Sequence, residues 1–251
     1  MKYSVIRPRR FILILLAFIV VLPSFSLNPQ QVLEQSDEAY LPSQGKMQMR
    51  MYSYENEQLK REYAFEIFFK GSDKYLLLIK NPPVMRDQAQ MRTGDTIWHY
   101  LGKIRRLRRI SARSLFLDTA FSQEDVMYST LSRLYSPTNM EESTLEGVPC
   151  YVLSLVPRDK ENAYARITAY VNKATFFPLK RIYYSYGGDA LKELSVVRID
   201  QQAGRTTCVE VVVKDLVRKG MSTRVVFDCI DQDAPIPDRM FTPEYLEYAT
   251  R

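Results

Sequence analysis

From Lys46 to Asp231 the chain is a succession of short segments in which apolar and polar residues alternate, separated by brief runs rich in Gly, Pro, Asn, Asp and Ser. Alternation with period two is the pattern of a half-buried strand, because successive side chains leave the pleat on opposite faces. In Glu62–Lys70 (E-Y-A-F-E-I-F-F-K), Tyr63, Phe65, Ile67 and Phe69 share one face and Glu66 and Lys70 the other. Gly71-Ser72-Asp73 then reads as a turn and Lys74–Lys80 as the return strand of a hairpin. Further strands are expected at Lys46–Tyr54, Thr96–Leu101, Ile104–Ile110, Tyr151–Pro157, Ala165–Asn172, Lys180–Tyr186, Lys192–Gln201, Cys208–Leu216 and Thr223–Asp231. A sheet of about ten strands joined by tight turns must curl or close. The expected fold is mainly β (α+β): one strongly curved antiparallel sheet forming an incomplete β-barrel, with few helices.

Two helical segments are candidates to cover the concave face. Pro29–Tyr40 begins with a proline suited to a first turn and carries Val32, Leu33, Ser36, Ala39 and Tyr40 on one side. Gln123–Tyr135 places Val126, Met127, Leu131, Leu134 and Tyr135 at helical offsets.

Residues 1–26 read as a secretory signal peptide and not as part of the fold. Lys2, Arg7, Arg9 and Arg10 precede the apolar run Phe11–Leu22, and Ser24-Phe25-Ser26 supplies small residues for cleavage after Ser26. The alternative is a retained membrane anchor, but the 12 residues of that run span only about 18 Å of a hydrocarbon core ~30 Å thick. The expected product is a single domain, 27–251, in the periplasm. Its charge is then almost balanced. Of 35 basic and 29 acidic residues, four basic ones leave with the signal, so net +6 becomes 31 against 29. A nucleic-acid partner loses its compositional support.

Three cysteines, Cys150, Cys208 and Cys229, stand at spacings that no metal site uses. If Thr207–Asp215 and Ser222–Ile230 form a hairpin centred between Arg218 and Lys219, paired residue numbers sum to 437 and Cys208 faces Cys229. A disulfide and two buried small thiols are both open readings of that pair.

Catalytic constellations are hard to assemble. His99 is the sole histidine, no nucleophile elbow surrounds it, and neither phosphate-binding nor dinucleotide-binding glycine motifs occur. No enzyme activity, cofactor or metal is expected.

The basic strand Ile104-Arg105-Arg106-Leu107-Arg108-Arg109-Ile110 puts arginine on both faces, so at least one guanidinium is expected to point toward an enclosed surface. Asp118, Glu124 and Asp125 follow closely and are candidate partners. Either the arginines latch a covering helix or loop, or they protect an edge strand against sheet-to-sheet pairing. The chain also has 17 Tyr, 12 Phe and one Trp. Most must be core, and periodicity alone does not separate a filled core from a greasy hollow lined by Tyr63, Phe65, Ile67 and Phe69 or by their opposite-facing neighbours.

Several fragments stand in a telling order: P-P-V at 82–84, G-D-T-I-W-H-Y-L at 94–101, R-R-I-S at 108–111 and S-L-F-L-D-T-A-F-S-Q-E-D-V at 114–126. E-G-V-P-C-Y at 146–151, Y-A-R-I at 164–167, F-P-L-K at 177–180 and I-P-D-R-M-F-T-P-E-Y-L at 236–246 follow. In these the chain resembles the outer membrane lipoprotein-sorting family, relatives of the periplasmic carrier of the Lol system and its receptor. It departs from the family pattern at L-D-T-A-F, 117–121, where a glycine is missing.

The resemblance implies an incomplete barrel with lid helices over a hydrophobic cavity. It also implies a monomeric periplasmic carrier for acyl chains of lipoproteins or other lipids, moved toward the outer membrane. An inner-membrane transporter or an outer-membrane acceptor would be its partner. Tyr63, Phe65, Ile67, Phe69, Trp98 and Tyr100 are then expected in the cavity or at its rim, and Arg106, Arg108 or Arg109 as lid anchor. The alternative use of such a scaffold is an envelope sensor or accessory subunit that binds a membrane protein.

Overall fold

The computed structural model describes residues 27–40, 42–117, 119–127, 130–202 and 205–250; over 202 and 205–208 it describes the backbone only. The expected signal peptide, its cleavage point and Asp118 lie outside the described residues.

Helix α1 (Pro29–Tyr40) precedes strands β1 (Gln44–Glu55), β2 (Gln58–Lys70), β3 (Lys74–Asn81), β4 (Gln88–Thr93), β5 (Thr96–Leu101) and β6 (Arg106–Ile110). A long connection then holds two short helices, α2 (Gln123–Met127) and α3 (Leu131–Leu134). Next come β7 (Tyr135–Leu145), β8 (Val148–Pro157), β9 (Arg166–Asn172), β10 (Pro178–Tyr184) and β11 (Ala190–Gln202). Strands β12 (Arg205–Asp215) and β13 (Met221–Asp231) and helix α4 (Pro243–Ala249) complete the chain.

All 13 strands belong to one antiparallel sheet, ordered β6-β5-β4-β3-β2-β1-β13-β12-β11-β10-β9-β8-β7. β6 and β7 do not pair, so the barrel is incomplete, as expected. Among the described residues no helix is long and apolar enough to cross a membrane.

Two apolar clusters occupy the two faces of this sheet. The larger joins Met47, Met49 and Met51 of β1, Tyr63 to Phe69 of β2 at alternate positions, and Val209, Val211 and Val213 of β12 with α1 and the β6–β7 connection. The smaller lies on the back, where Ile236, Met240, Phe241 and Leu246 of the C-terminal segment pack on β3, β4 and β5. β3 serves both: Leu77 and Ile79 enter the first cluster, Leu76 and Leu78 the second. That explains its unbroken apolar run, since a strand covered on both faces has no polar phase.

Two strands escaped the alternation. β4 (Q-A-Q-M-R-T) buries Ala89, Gln90, Met91 and Arg92 on both faces, so polarity gives no period there. β7 is a free edge, mostly exposed, with Pro137 and a polar sequence. The expected helix over Gln123–Tyr135 is instead two short helices, with Tyr135 already in β7.

The β12–β13 hairpin is displaced by one residue from the expected register. Val209 faces Phe227 and Val213 faces Thr223, so paired numbers sum to 436. The physical cause is the turn: the Asp215 carboxylate accepts the N–H groups of Val217 (3.0 Å) and Arg218 (2.7 Å), which centres the turn on Arg218. Cys229 is exposed and free, and Cys208 pairs by backbone with Asp200 of β11. The register of residues 209–214 is thereby corrected; the expected pairing of Cys208 with Cys229 falls on a side chain, that of Cys208, outside the described residues.

Candidate functional site

The concave face is closed by α1 and by residues 111–134. From the connection, Phe116, Ala120, Phe121, Val126, Met127 and Leu134 enter the main cluster; from α1, Val32 and Leu33 do. The connection folds on itself through Phe116 N–H to the Phe121 carbonyl (2.8 Å) and Gln123 N–H to the Ser114 carbonyl (2.8 Å). It therefore behaves as a preformed cover with its own backbone bonds.

Polar side chains hold this cover down. Arg92, a buried arginine of β4, donates to the carbonyls of Met127 (2.6 Å), Ser72 (2.7 Å) and Gly94 (2.9 Å). Arg133 of α3 pairs with Asp95 at 2.8 Å. Asp37 of α1 accepts the N–H groups of Leu131 (3.0 Å) and Ser132 (2.8 Å), tying the two covering elements together. Burial pushes the Asp37 carboxyl up, and those N–H donors and Arg181 pull it partly back.

The densest contacts come from adjacent carboxylates on α2. Glu124 accepts from the Tyr135 hydroxyl (2.5 Å) and from Ala163 N–H (2.7 Å). Burial raises its pKa to about 7, against the pull of those two donors; Asp125 adds to the rise and Lys192 opposes it. Asp125 is paired with Lys192 of β11 and accepts from the hydroxyls of Tyr164 (2.7 Å) and Ser122 (2.8 Å). Lys192 also donates to the Ala120 carbonyl at 3.2 Å and sits among the rings of Tyr164, Tyr183 and Phe121. Burial depresses the Lys192 ammonium, while Asp125 holds it up.

An inner void of about 50 Å³ is lined by Tyr40, Tyr75, Phe121, Leu134, Arg181 and Leu194, among others. Larger depressions open outward: one of about 580 Å³ at the seam beside Arg109 and Arg133, one of about 480 Å³ beside Asp37 and Ser132, and one of about 310 Å³ beside Lys192 and Arg218. Pockets for small molecules run to roughly 300–1,000 Å³, so this inner void by itself is too small for a chain.

The expected site residues divide. Tyr63, Phe65, Ile67 and Phe69 lie together in the cluster on the concave face. Trp98 and Tyr100 belong to the cluster on the back of the sheet, under the C-terminal segment, because they share the opposite phase from Ile97. Arg106, Arg108 and Arg109 are exposed on the edge strand β6. Arg109 donates to Thr96 Oγ1 at 3.0 Å and stacks toward Trp98; Arg92 donates to the cover at Met127, and Arg133 of the cover reaches back to Asp95. The edge-protection reading of the arginines fits this placement. His99 is buried near Gln88 (3.2 Å), and burial and Arg108 lower its pKa to about 4, which keeps it neutral.

Sequence reasoning missed Arg92, Lys192 and Arg181. A faint signal existed for Lys192, which shares its phase on β11 with Leu194 and Val196. Nothing in the sequence neighbours of Arg92 marks it as buried.

No curated protein matches the chain. Solved structures match its fold at low identity. A LolA superfamily protein from Nitrosomonas europaea superposes with a TM-score of 0.79 at 22% identity, covering 88% of this chain and 100% of that one. A DUF1329 family protein from Desulfovibrio piger gives 0.77 at 21% identity, covering 87% and 97%. A domain named for outer membrane lipoprotein sorting, from Vibrio parahaemolyticus, gives 0.74 at 20% identity, covering 88% and 100%. A model of the family described as "Uncharacterized protein" matches residues 71–248; the chain belongs to that family, and its architecture is the LolA-like fold.

Proposed function

We propose that this protein is a periplasmic carrier that shelters an acyl chain, of a lipoprotein or another lipid, between its concave sheet and a cover that lifts. It binds and transfers cargo; it does no bond chemistry. One observation carries the reading. The apolar face of the open sheet is covered by α1 and residues 111–134, which are fastened by polar side chains, and not by a second sheet. Polar fasteners can exchange for water, whereas a sandwich core cannot part without unfolding.

The energetics are compatible with such a trade. Sheltering about 14 methylenes at ~0.8 kcal/mol each is worth on the order of 10 kcal/mol before ordering costs. The inner void lined by Arg181 holds about 50 Å³, so a chain enters there only as the cover lifts. Methionines at positions 47, 49 and 51 of β1 suit a face that must repack, since thioether side chains adapt to irregular surroundings.

Lipid extraction and mass spectrometry of protein purified without detergent from its native envelope tests the proposal. One lipid per chain, recovered reproducibly, is expected. Protein that is always empty and co-purifies with a membrane protein would replace the carrier with the sensor or accessory-subunit reading.

A further inference from the structure

Two cations stand side by side on the concave face. Arg181 of β10 and Lys192 of β11 are on adjacent strands, with Tyr183 directly opposite Lys192 and Arg181 two residues along on the same face. Such diagonal neighbours lie roughly 7–8 Å apart, within the reach of two long side chains for one small group. Arg181 lines the inner void together with Asp125, and Lys192, paired with that same Asp125, lines the outer depression of about 310 Å³.

Their nearest carboxylates are not on the sheet, although Tyr183 of β10 accepts a hydrogen bond from Arg181 on the same strand. Lys192 is in contact with Asp125, on α2. The carboxylate that acts on Arg181 is Asp37, on α1, and the guanidinium lies over the Tyr40 ring of the same helix at 5.3 Å. Arg181 Nε is buried and has no hydrogen-bond acceptor among the described residues. Glu124 and Asp215 act on Lys192 from further away, and Asp215 is itself paired with Arg218. Lifting the cover therefore takes the near carboxylates with it and leaves two cations on a greasy wall. An unpaired cation in such surroundings is strongly disfavoured. A neutral cargo would leave both unsatisfied; an anionic one would satisfy both.

We propose that Arg181 and Lys192 form an anion-binding pair for the cargo's head group, held in the closed form by Asp37 and Asp125 acting as internal stand-ins. Resting on the carrier reading, this names the cargo class: an amphiphile with a carboxylate or phosphate head group, whose chain occupies the space under the cover. The outer depression gives the head group its approach, past Arg113 and Arg218.

Binding of a 16-carbon series that differs only in head group tests this: palmitate and palmitoyl lysophosphatidylglycerol (anionic), palmitoyl lysophosphatidylcholine (zwitterionic) and monopalmitoylglycerol (neutral). Inorganic phosphate alone serves as the chain-free arm. The anionic members should bind at least tenfold more tightly than the other two, and inorganic phosphate far more weakly than either anionic amphiphile. Lys192→Met and Arg181→Met should each reduce the anionic members toward the neutral affinity while leaving the neutral one in place. Asp125→Asn removes the internal competitor and should tighten the anionic members several-fold. That variant, with the wild-type series, decides the matter if the methionine variants do not fold.

Equal affinities across the series would overturn the anion pair and leave the carrier intact. Failure to bind any member would overturn both. Phosphate binding as tightly as the anionic amphiphiles would show an anion site without a chain, which also overturns the proposal.

Discussion

Glu124 shows how burial and function meet in one side chain. Its carboxyl is buried and pushed up to about 7, so the folded protein favours its neutral form. A carboxyl raised in the folded state contributes stability that is fully present below its unfolded value, near 4.5, and is lost as pH rises through 7. The shift corresponds to a loss of about 3 kcal/mol across that window. Glu124→Gln should remove it: wild type and variant should diverge progressively from pH 4.5 to 7.5 in denaturant melts, with the wild type falling. Parallel curves would show that Tyr135 and Ala163 N–H fully compensate the burial of this carboxylate.

At the scale of elements, the cover depends on a few joints. Asp37→Ala removes the acceptor of two N–H groups on α3 and separates α1 from α3. The expected loss is about 1–2 kcal/mol in unfolding experiments, accompanied by faster amide exchange at Leu131 and Ser132. A loss of stability spread evenly over the sheet would mean that the cover is not a separable unit. The edge strand β6 behaves differently. Its arginines are exposed and are not among the cover's fasteners, so Arg108→Leu with Arg109→Leu should leave lipid uptake unchanged. Sedimentation should instead show self-association, because the charge that discourages edge pairing is gone.

These elements also mark what could be read from residues alone. β2 was legible because Tyr63, Phe65, Ile67 and Phe69 alternate against a polar face, and α1 because its caps and apolar stripe coincide with the observed Pro29–Tyr40. β4 and β7 were not, since one buries polar residues on both faces and the other is a polar edge. The site was legible only in its apolar half. Trp98 and Tyr100 shared the aromatic character of lining residues, but the C-terminal segment claims their face, and no local pattern announces a contact across that distance in sequence. Arg92 and Lys192 are buried through tertiary partners that sequence spacing does not reveal.

The whole molecule is an open sheet with two differently treated faces. The back is sealed by the C-terminal segment through apolar contact. The front is sealed by a cover that carries both apolar side chains and the carboxylates that neutralise the wall. The back also has polar fasteners, Lys70 and Lys74 to Asp238, but these are partly exposed, whereas the front encloses the buried Lys192–Asp125 pair among its apolar side chains. The account therefore predicts where cargo will be found, and a photoreactive palmitate analogue tests it most directly. After irradiation, residue-level mass spectrometry should place adducts on the front face of β1, β2 and β12, at residues such as Met49, Phe65, Ile67 and Val211. Adducts confined to the back, around Tyr100 and Met240, or an absence of adducts with folded protein, would contradict it.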